Sequence, residues 1–368
     1  MEIKVLQILD NLALGGAEVL TLDLCKAPNH PFELFLASFG GGVLLKDFQD
    51  TGRQLFLLKR RFPLDISLIL KIRKIVKKNK INIIHSNRPV EALHAYFATR
   101  FMNVKNVLSM HGYYPNKKDD KVLDFLMPKL DAKIMVSEPF FERVKEETNF
   151  NFDNTFIVPN GVDFSKIEKK DSSLYTELKL KDNDVLLGMV GNFNSSGRDQ
   201  ITICKGFNEL SKSHSQLHLC FVGDHYNKTS KYYLECYNYC KDNNLLEKVH
   251  FLGKRDDINN ILSALDIFVY SSNHDSFGIA ILEAMAMGIP TVINDIPPFK
   301  MISDNGKYCS LFKTKDKTDF ITKVHELIVN KDLRSDLGEN GKIHAISTFS
   351  IGSFIETLDE VYKKILLN

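Results

Sequence analysis

What most restricts the folds open to this chain is an alternation that runs along it twice. Short apolar runs (IKVLQIL, FELFLAS, INIIH, VLSMH, KIMVS, FIVPN) are each followed by a longer segment of helical period. Apolar strands separated by helices predict βα units around a parallel sheet. Between residues 165 and 184 the chain turns charged and irregular (SKIEKKDSSLYTELKLKDND), and the alternation then restarts near Val185 with VLLGMVGN, LHLCFVG, VHFLG, DIFVYSS and TVIN. A chain of 368 residues with 44% hydrophobic content is too long for one core of usual size and apolar enough for two. Two α/β domains are therefore expected, residues 1–164 and 165–348, with a cleft between them. The sequence NGVD at 160–163 suits a hinge. The last segment, SIGSFIETLDEVYKKILL, predicts a helix over 349–368 that closes the structure and joins the first domain.

Bulk composition removes several function classes. Forty-eight Lys and Arg against forty-six Asp and Glu give a net charge of +2, without the basic excess of a nucleic-acid binder. The six cysteines (Cys25, Cys204, Cys220, Cys236, Cys240, Cys309) lie mostly in apolar segments, and the one close pair, Cys236 and Cys240, lacks a second pair for zinc. They read as reduced, buried thiols. The start, MEIKVLQILDNLALGG, shows no cleavage site, and no run of eighteen uncharged apolar residues occurs, so a cytoplasmic protein is expected.

The stretch SSNHDSFGIAILEAMAMGIPTVI, residues 271–293, sets Asp275 and Glu283 eight positions apart around a Phe-Gly pair. In an open parallel sheet, ligands sit beyond the carboxyl ends of the strands, where helix N-termini present unpaired amides. DIFVYSS would be such a strand and GIAILEAMAMG such a helix. The backbone amides of Phe277, Gly278 and Ile279 then form a helix mouth able to receive a phosphate. Glu283 lies about 7 to 8 Å further along the axis at 1.5 Å per residue, roughly the reach from a diphosphate to its ribose. Asp275, just outside the helix, could hold the hydroxyls of whatever the diphosphate carries. The alternative reading makes Asp275 a helix cap and Glu283 a solvated helix residue.

The wider pattern, D-S-F-G-I-A-I-L-E-A-M-A-M-G at 275–288, resembles the E-x7-E region of glycosyltransferase family 4, usually E-G-F-G-x-x-x-x-E-A-M-A-x-G, with Asp275 standing for the first Glu. The resemblance extends over nearly the whole chain, through GGAEVLTLDL, the strand end IIHSN, SMHGY, VPNGVD, VGNF, FVGD and FLGKRDDI, in the family's order. It implies the GT-B fold, an α/β architecture of two Rossmann-like domains, and retaining transfer of a sugar from a nucleoside diphosphate donor without a metal. A UDP-sugar is the expected donor and a surface glycan or lipid-linked sugar the expected acceptor.

The resemblance also distributes roles. His111, after the strand VLSM, would contact the transferred sugar together with Asp275. Gly15 and Gly16, opening the first helix, would approach the donor phosphates; without a full G-x-G-x-x-G they argue against NAD. Glu18 and His85 would lie toward the acceptor, although Glu18 equally suits a first-turn acid and His85 a loop tie. Family members usually place an Arg directly after the Gly of the strand VLLGMVG and a Lys several residues later. Here Asn192 replaces that Arg, and Arg198, in NSSGRDQ after a one-residue insertion, replaces the Lys, with Lys205 a weaker substitute.

Other motifs carry less. Asp182 and Asp184 form a D-x-D, but charged residues precede it and a strand follows, which reads as a turn rather than a metal site. G-x-S-x-G, the P-loop and H-E-x-x-H are missing. A basic cluster, Lys59, Arg60 and Arg61 followed by KIRKIVKKNK at 71–80, is opposed by Asp65 alone and carries an apolar face, Ile69, Leu70, Ile72, Ile75 and Val76. It suits either a helix packed on its own sheet or contact with an anionic membrane. Two rival functions stay open, a sugar-nucleotide epimerase on the same fold and a nucleotide-sugar binding subunit that has lost activity.

Overall fold

The computed structural model describes residues 2–113, 115–166, 173–193 and 197–367. The chain divides into two compact units, Met1–Asp163 with Ser350–Asn368, and Phe164–Phe349.

In the first unit the described residues build a seven-stranded sheet from β1 (Lys4–Leu9), β2 (Glu33–Ser38), β3 (Leu55–Leu57), β4 (Ile83–Ser86), β5 (Lys105–Met110), β6 (Ala132–Met135) and β7 (Thr155–Ile157). The spatial order is β3-β2-β1-β4-β5-β6-β7 and every pairing is parallel. Helices cover both faces, so residues along one strand are buried whichever way they point; only Lys4 of β1 is partly exposed. On one face Val5, Leu9, Leu34, Leu36, Ile83 and Ile134 pack against the last helix, Ile351–Leu367. That helix turns Phe354, Ile355, Leu358, Val361, Tyr362 and Ile365 inward at helical spacing, and so closes the first unit. Each such buried side chain contributes about 1.5–3 kcal/mol. On the other face Leu6, Ile8, Phe35 and Ile84 meet Leu68, Ile72 and Val76 of the helix Ile66–Asn79 and Ala95 and Ala98 of the helix Pro89–Thr99.

The second unit has a six-stranded parallel sheet among its described residues: β8 (Val185–Val190), β9 (Leu217–Val222), β10 (Val249–Gly253), β11 (Ile267–Tyr270), β12 (Thr291–Asn294) and β13 (Ser310–Phe312), in the order β10-β9-β8-β11-β12-β13. Each sheet reverses its winding once, between β1 and β4 and between β8 and β11. At such a reversal the connections leave in opposite directions and open a crevice at the carboxyl edge. The six cysteines are all buried free thiols. No helix among the described residues is long and apolar enough to cross a membrane.

Candidate active site

At the reversal in the second unit, the chain leaving β8 is laced to the chain leaving β11. Ser272 Oγ donates to the Gly197 carbonyl at 2.6 Å, and the Asn273 amide donates to the same oxygen at 2.7 Å. The Asp199 amide donates to the Ser271 carbonyl at 3.0 Å, and Ser271 Oγ returns a bond to Asp199 Oδ2 at 2.9 Å. These ties fix Arg198 between the two segments. Its Nη1 donates to Asp275 Oδ2 at 2.6 Å and to Ser272 Oγ at 3.3 Å, and its guanidinium lies 5.3 Å from the Tyr270 ring centroid. Two residues expected separately at the site thus form one partly buried ion pair, with side-chain exposures of 28% and 14%. The insertion expected before Arg198 falls on residues 194–196, outside the described residues.

Beyond Asp275 the backbone turns through Gly278, at φ 119° and ψ 48°, into the helix Ile279–Ala286. Glycine tolerates that backbone; a side chain would also press on Ile302 and Phe299 at 3.1 and 3.2 Å. The Gly278 carbonyl accepts from the Ile281 and Leu282 amides, while the amides of Ile279 and Ala280 open the helix with no carbonyl inside it to bond. The Phe277 ring is buried against Phe349, with centroids 5.7 Å apart, so only its backbone stands at the helix mouth. Glu283 is half-buried one turn into the helix. Asn192 lies after β8 as expected, but its Oδ1 accepts the Asp224 amide at 2.8 Å, tying together the loops that follow β8 and β9. Lys205 is exposed in the helix Gln200–Ser213.

In the first unit, His111 follows β5 and its Nε2 donates to Asn87 Oδ1 at 3.0 Å. Burial, helped by the Arg88 cation and opposed by Asn160, lowers its pKa to about 4, so the ring is neutral at pH 7. Gly15 precedes the helix Gly16–Lys26 in extended backbone, and a Cβ there would collide with the Glu18 carboxylate. Its smallness makes room for Glu18 to fold back; Gly16 has open space around it. Glu18, expected to face an acceptor, is buried and accepts from Arg88 Nη2 at 2.8 Å.

His85 departs further from expectation. It lies within β4, opposite Gln7 of β1, and is 2% exposed. Gln7 Nε2 and the Tyr362 hydroxyl approach Nδ1 at 3.1 and 2.6 Å, and Nε2 meets Ser109 Oγ at 2.7 Å. Since an amide nitrogen only donates, Nδ1 is the acceptor and the proton sits on Nε2. The ring is spent inside the core, and burial holds its pKa down to about 3. Three neighbours that sequence reasoning missed organise the loops at this edge. Arg88 pairs with Glu18 and Asn87 orients His111, while Glu91 accepts from the amides of Asp10, Asn87 and Arg88 at 2.5, 2.6 and 2.9 Å. The signal was present in R-P-V-E, a Pro at the first helical position and a Glu two residues on that caps the helix start.

Two parallel α/β units, each with a crevice at one sheet reversal, have the GT-B architecture, and the helix mouth beside an Arg-Asp pair in the second is suited to an anionic ligand. Known families agree. Residues 14–166 match the family model Glycosyltransferase Family 4, and residues 174–344 match Glycosyl transferases group 1. The chain belongs to glycosyltransferase family 4 and is a glycosyltransferase. It is 24% identical to an Escherichia coli UDP-Gal:alpha-D-GlcNAc-diphosphoundecaprenol alpha-1,3-galactosyltransferase, over 93% of this chain and 91% of that one. It is 22% identical to the N-acetyl-alpha-D-glucosaminyl L-malate synthase of Bacillus anthracis, over 83% and 80%. Among solved structures it resembles Anabaena Alr3699/HepE in complex with UDP and glucose, with TM-score 0.82 and 17% identity over 98% and 99% of the two chains. A Rickettsia africae glycosyltransferase gives TM-score 0.85 at 19% identity over 100% and 99%.

Proposed function

We propose that this glycosyltransferase transfers a hexose, with retention, from a UDP-sugar to a lipid-linked or glycan acceptor in surface polysaccharide synthesis. The observation that carries the reading is Arg198, fixed at the carboxyl edge of β8 and β11 beside the opening of the Ile279–Ala286 helix. A guanidinium and a helix mouth together suit a diphosphate, and both act on the charge that develops as it leaves. The E. coli relative's name specifies a UDP-sugar donor and a diphosphoundecaprenol acceptor, which supports both halves of the reading.

In the proposed step the bond from the sugar's anomeric carbon to the phosphate oxygen breaks, and its electron pair stays with the diphosphate. The acceptor hydroxyl oxygen bonds to that carbon from the same face, and its proton passes to the departing phosphate oxygen. Glu283 accepts from the ribose hydroxyls, and Asp275 holds the sugar. The family resemblance assigns His111 to the same sugar; its neutral ring serves as a hydrogen-bond partner rather than a cation. The positive charge comes from Arg198 and the helix, so the reaction needs no metal. The second reading, a binding subunit that has lost activity, is favoured by Asn192, which stands where the family pattern the chain resembles has Arg, and by Asp275, which already occupies Arg198.

The test is a thermal-shift series with UDP, GDP, ADP and NAD. A ligand at a hundred times its dissociation constant adds about 2.7 kcal/mol, or roughly 5 to 10 °C for a domain of this size. UDP should stabilise wild type and not Glu283→Ala. Stabilisation by NAD alone, or by no nucleotide, would refute the reading.

A further inference from the structure

The helix Ile66–Asn79 has two unlike faces. Leu68, Ile72 and Val76, with Ile69 and Ile75 beside them, pack on the sheet. This settles the sequence-level ambiguity for most of the apolar face, but it leaves Leu70 out. Leu70 is 61% exposed and Ile66 71%, and the segment leading into the helix adds Phe62 at 64% and Leu64 at 46%. At 100° per residue Ile66, Leu70, Lys74 and Lys77 fall on the side away from the core. Around them stand Lys59, Arg61, Lys71, Lys78 and Lys80, all exposed. Among the described residues, none of these seven cations makes an ion pair; the one acid of the segment, Asp65, is buried and accepts the Leu68 and Arg61 amides. At the far end, Arg73 donates to the carbonyls of Ala98 and Arg100, which brings the neighbouring turn against the helix. That turn holds Phe101 90% exposed at φ 67°, a left-handed backbone that costs energy for a bulky residue. The turn is closed by the Met102 amide on the Thr99 carbonyl at 2.8 Å, and the Arg100 guanidinium lies 5.1 Å from the Phe101 ring centroid, yet the ring stays in solvent.

We propose that this face docks the enzyme on an anionic lipid bilayer. Several large apolar side chains among uncompensated cations match the headgroup boundary, where apolar groups insert and cations meet anionic lipid. The 14-residue helix gives a footprint about 21 Å long at 1.5 Å per residue. Its apolar end lies at the functional edge of the sheet. The segment before it follows the carboxyl end of β3, and Arg60 in that segment donates to Asp10 Oδ1, just after β1, at 2.9 Å. His111, Arg88 and the Glu91-held turns stand on the same carboxyl edge of the first unit. Docking there would bring a lipid-linked acceptor to the unit expected to receive it; that link rests on the proposed function, whereas the docking itself does not.

The test is co-sedimentation of the full chain with phosphatidylcholine vesicles containing zero or 30% phosphatidylglycerol. Binding should require the anionic lipid and weaken with salt. Lys74→Gln/Lys77→Gln should lower the partition coefficient about tenfold to thirtyfold, and Phe62→Ser/Ile66→Ser about tenfold. All four positions are exposed, so both variants should melt as wild type and keep the shift produced by UDP. No binding to anionic vesicles, or binding unchanged in both variants, overturns the proposal. So does loss of binding in the lysine variant alone with displacement by single-stranded RNA, which would assign the face to polyanions. A dimer in solution that Phe62→Ser/Ile66→Ser dissociates would assign it to a second copy. Failure here with the UDP shift intact leaves the transferase reading standing; loss of the shift with vesicle binding intact does the reverse.

Discussion

Asp275 and Arg198 should move UDP affinity in opposite directions, because the acid competes with a diphosphate for the guanidinium. The pair is 2.6 Å apart and mostly screened from water. Two unit charges about 4 Å apart attract by about 4 kcal/mol at an effective dielectric of 20. Desolvation and competing water reduce the net value to about 1–2 kcal/mol for a partly exposed pair. Asp275→Asn therefore releases the guanidinium and should tighten UDP binding about fivefold to thirtyfold, while turnover falls because the sugar loses its acid. Arg198→Gln removes charge-assisted bonds of about 1.5–3 kcal/mol and should weaken UDP about tenfold to a hundredfold. In the double variant the gain from Asp275→Asn should shrink to about twofold or less, since it runs through Arg198. Titration calorimetry with UDP measures all four proteins. If Asp275→Asn weakens UDP as Arg198→Gln does, the acid supports the binding geometry, and the argument from competition fails.

Three further outcomes follow from the packing and the ionisation states. Gly278→Ala forces a side chain into φ 119° and against Ile302, which should cost about 1–3 kcal/mol in urea denaturation and also weaken UDP. His85 is held neutral, with its pKa near 3, so the stability it lends is full above its ordinary value of 6.5 and is lost as the pH falls. Between pH 7 and pH 5 the unfolded chain takes up a proton that the native chain refuses, at a cost of about 2 kcal/mol. His85→Gln should remove that part of the pH slope; an unchanged slope would show that the ring is not buried neutral. Transfer or donor hydrolysis should persist in excess EDTA, and restoration by added Mg²⁺ after loss would contradict the metal-free step.

The sheets were legible because a strand buried on both faces must be apolar throughout, and IKVLQIL, VLSM and DIFVY announce that directly. The closing helix was legible from its period, since Phe354, Leu358, Val361 and Tyr362 repeat at helical spacing. The order of strands was not, because β1 lies beside β4 and β8 beside β11 through contacts between distant segments. The same distance hid the Arg198–Asp275 pair, 77 positions apart. Reading INIIH as a strand was right, but the expectation that His85 faces the acceptor or ties a loop fails because β4 runs on through Ser86 and leaves the ring opposite Gln7. Phe277 shows the complementary limit, in that the motif located its backbone while the ring's direction was decided by Phe349. The basic segment was half legible; its period revealed the packed face, but only exposure separates Leu70 from Ile72.

The most direct test of retaining sugar transfer is an early proton NMR spectrum of an α-linked UDP-hexose incubated with the enzyme, with water as the slow acceptor. The account predicts that the first hexose released carries the α-anomeric signal, before mutarotation mixes the anomers, and that Arg198→Gln slows its release. Initial release of the β-anomer, or no release from any UDP-hexose that binds, would contradict it.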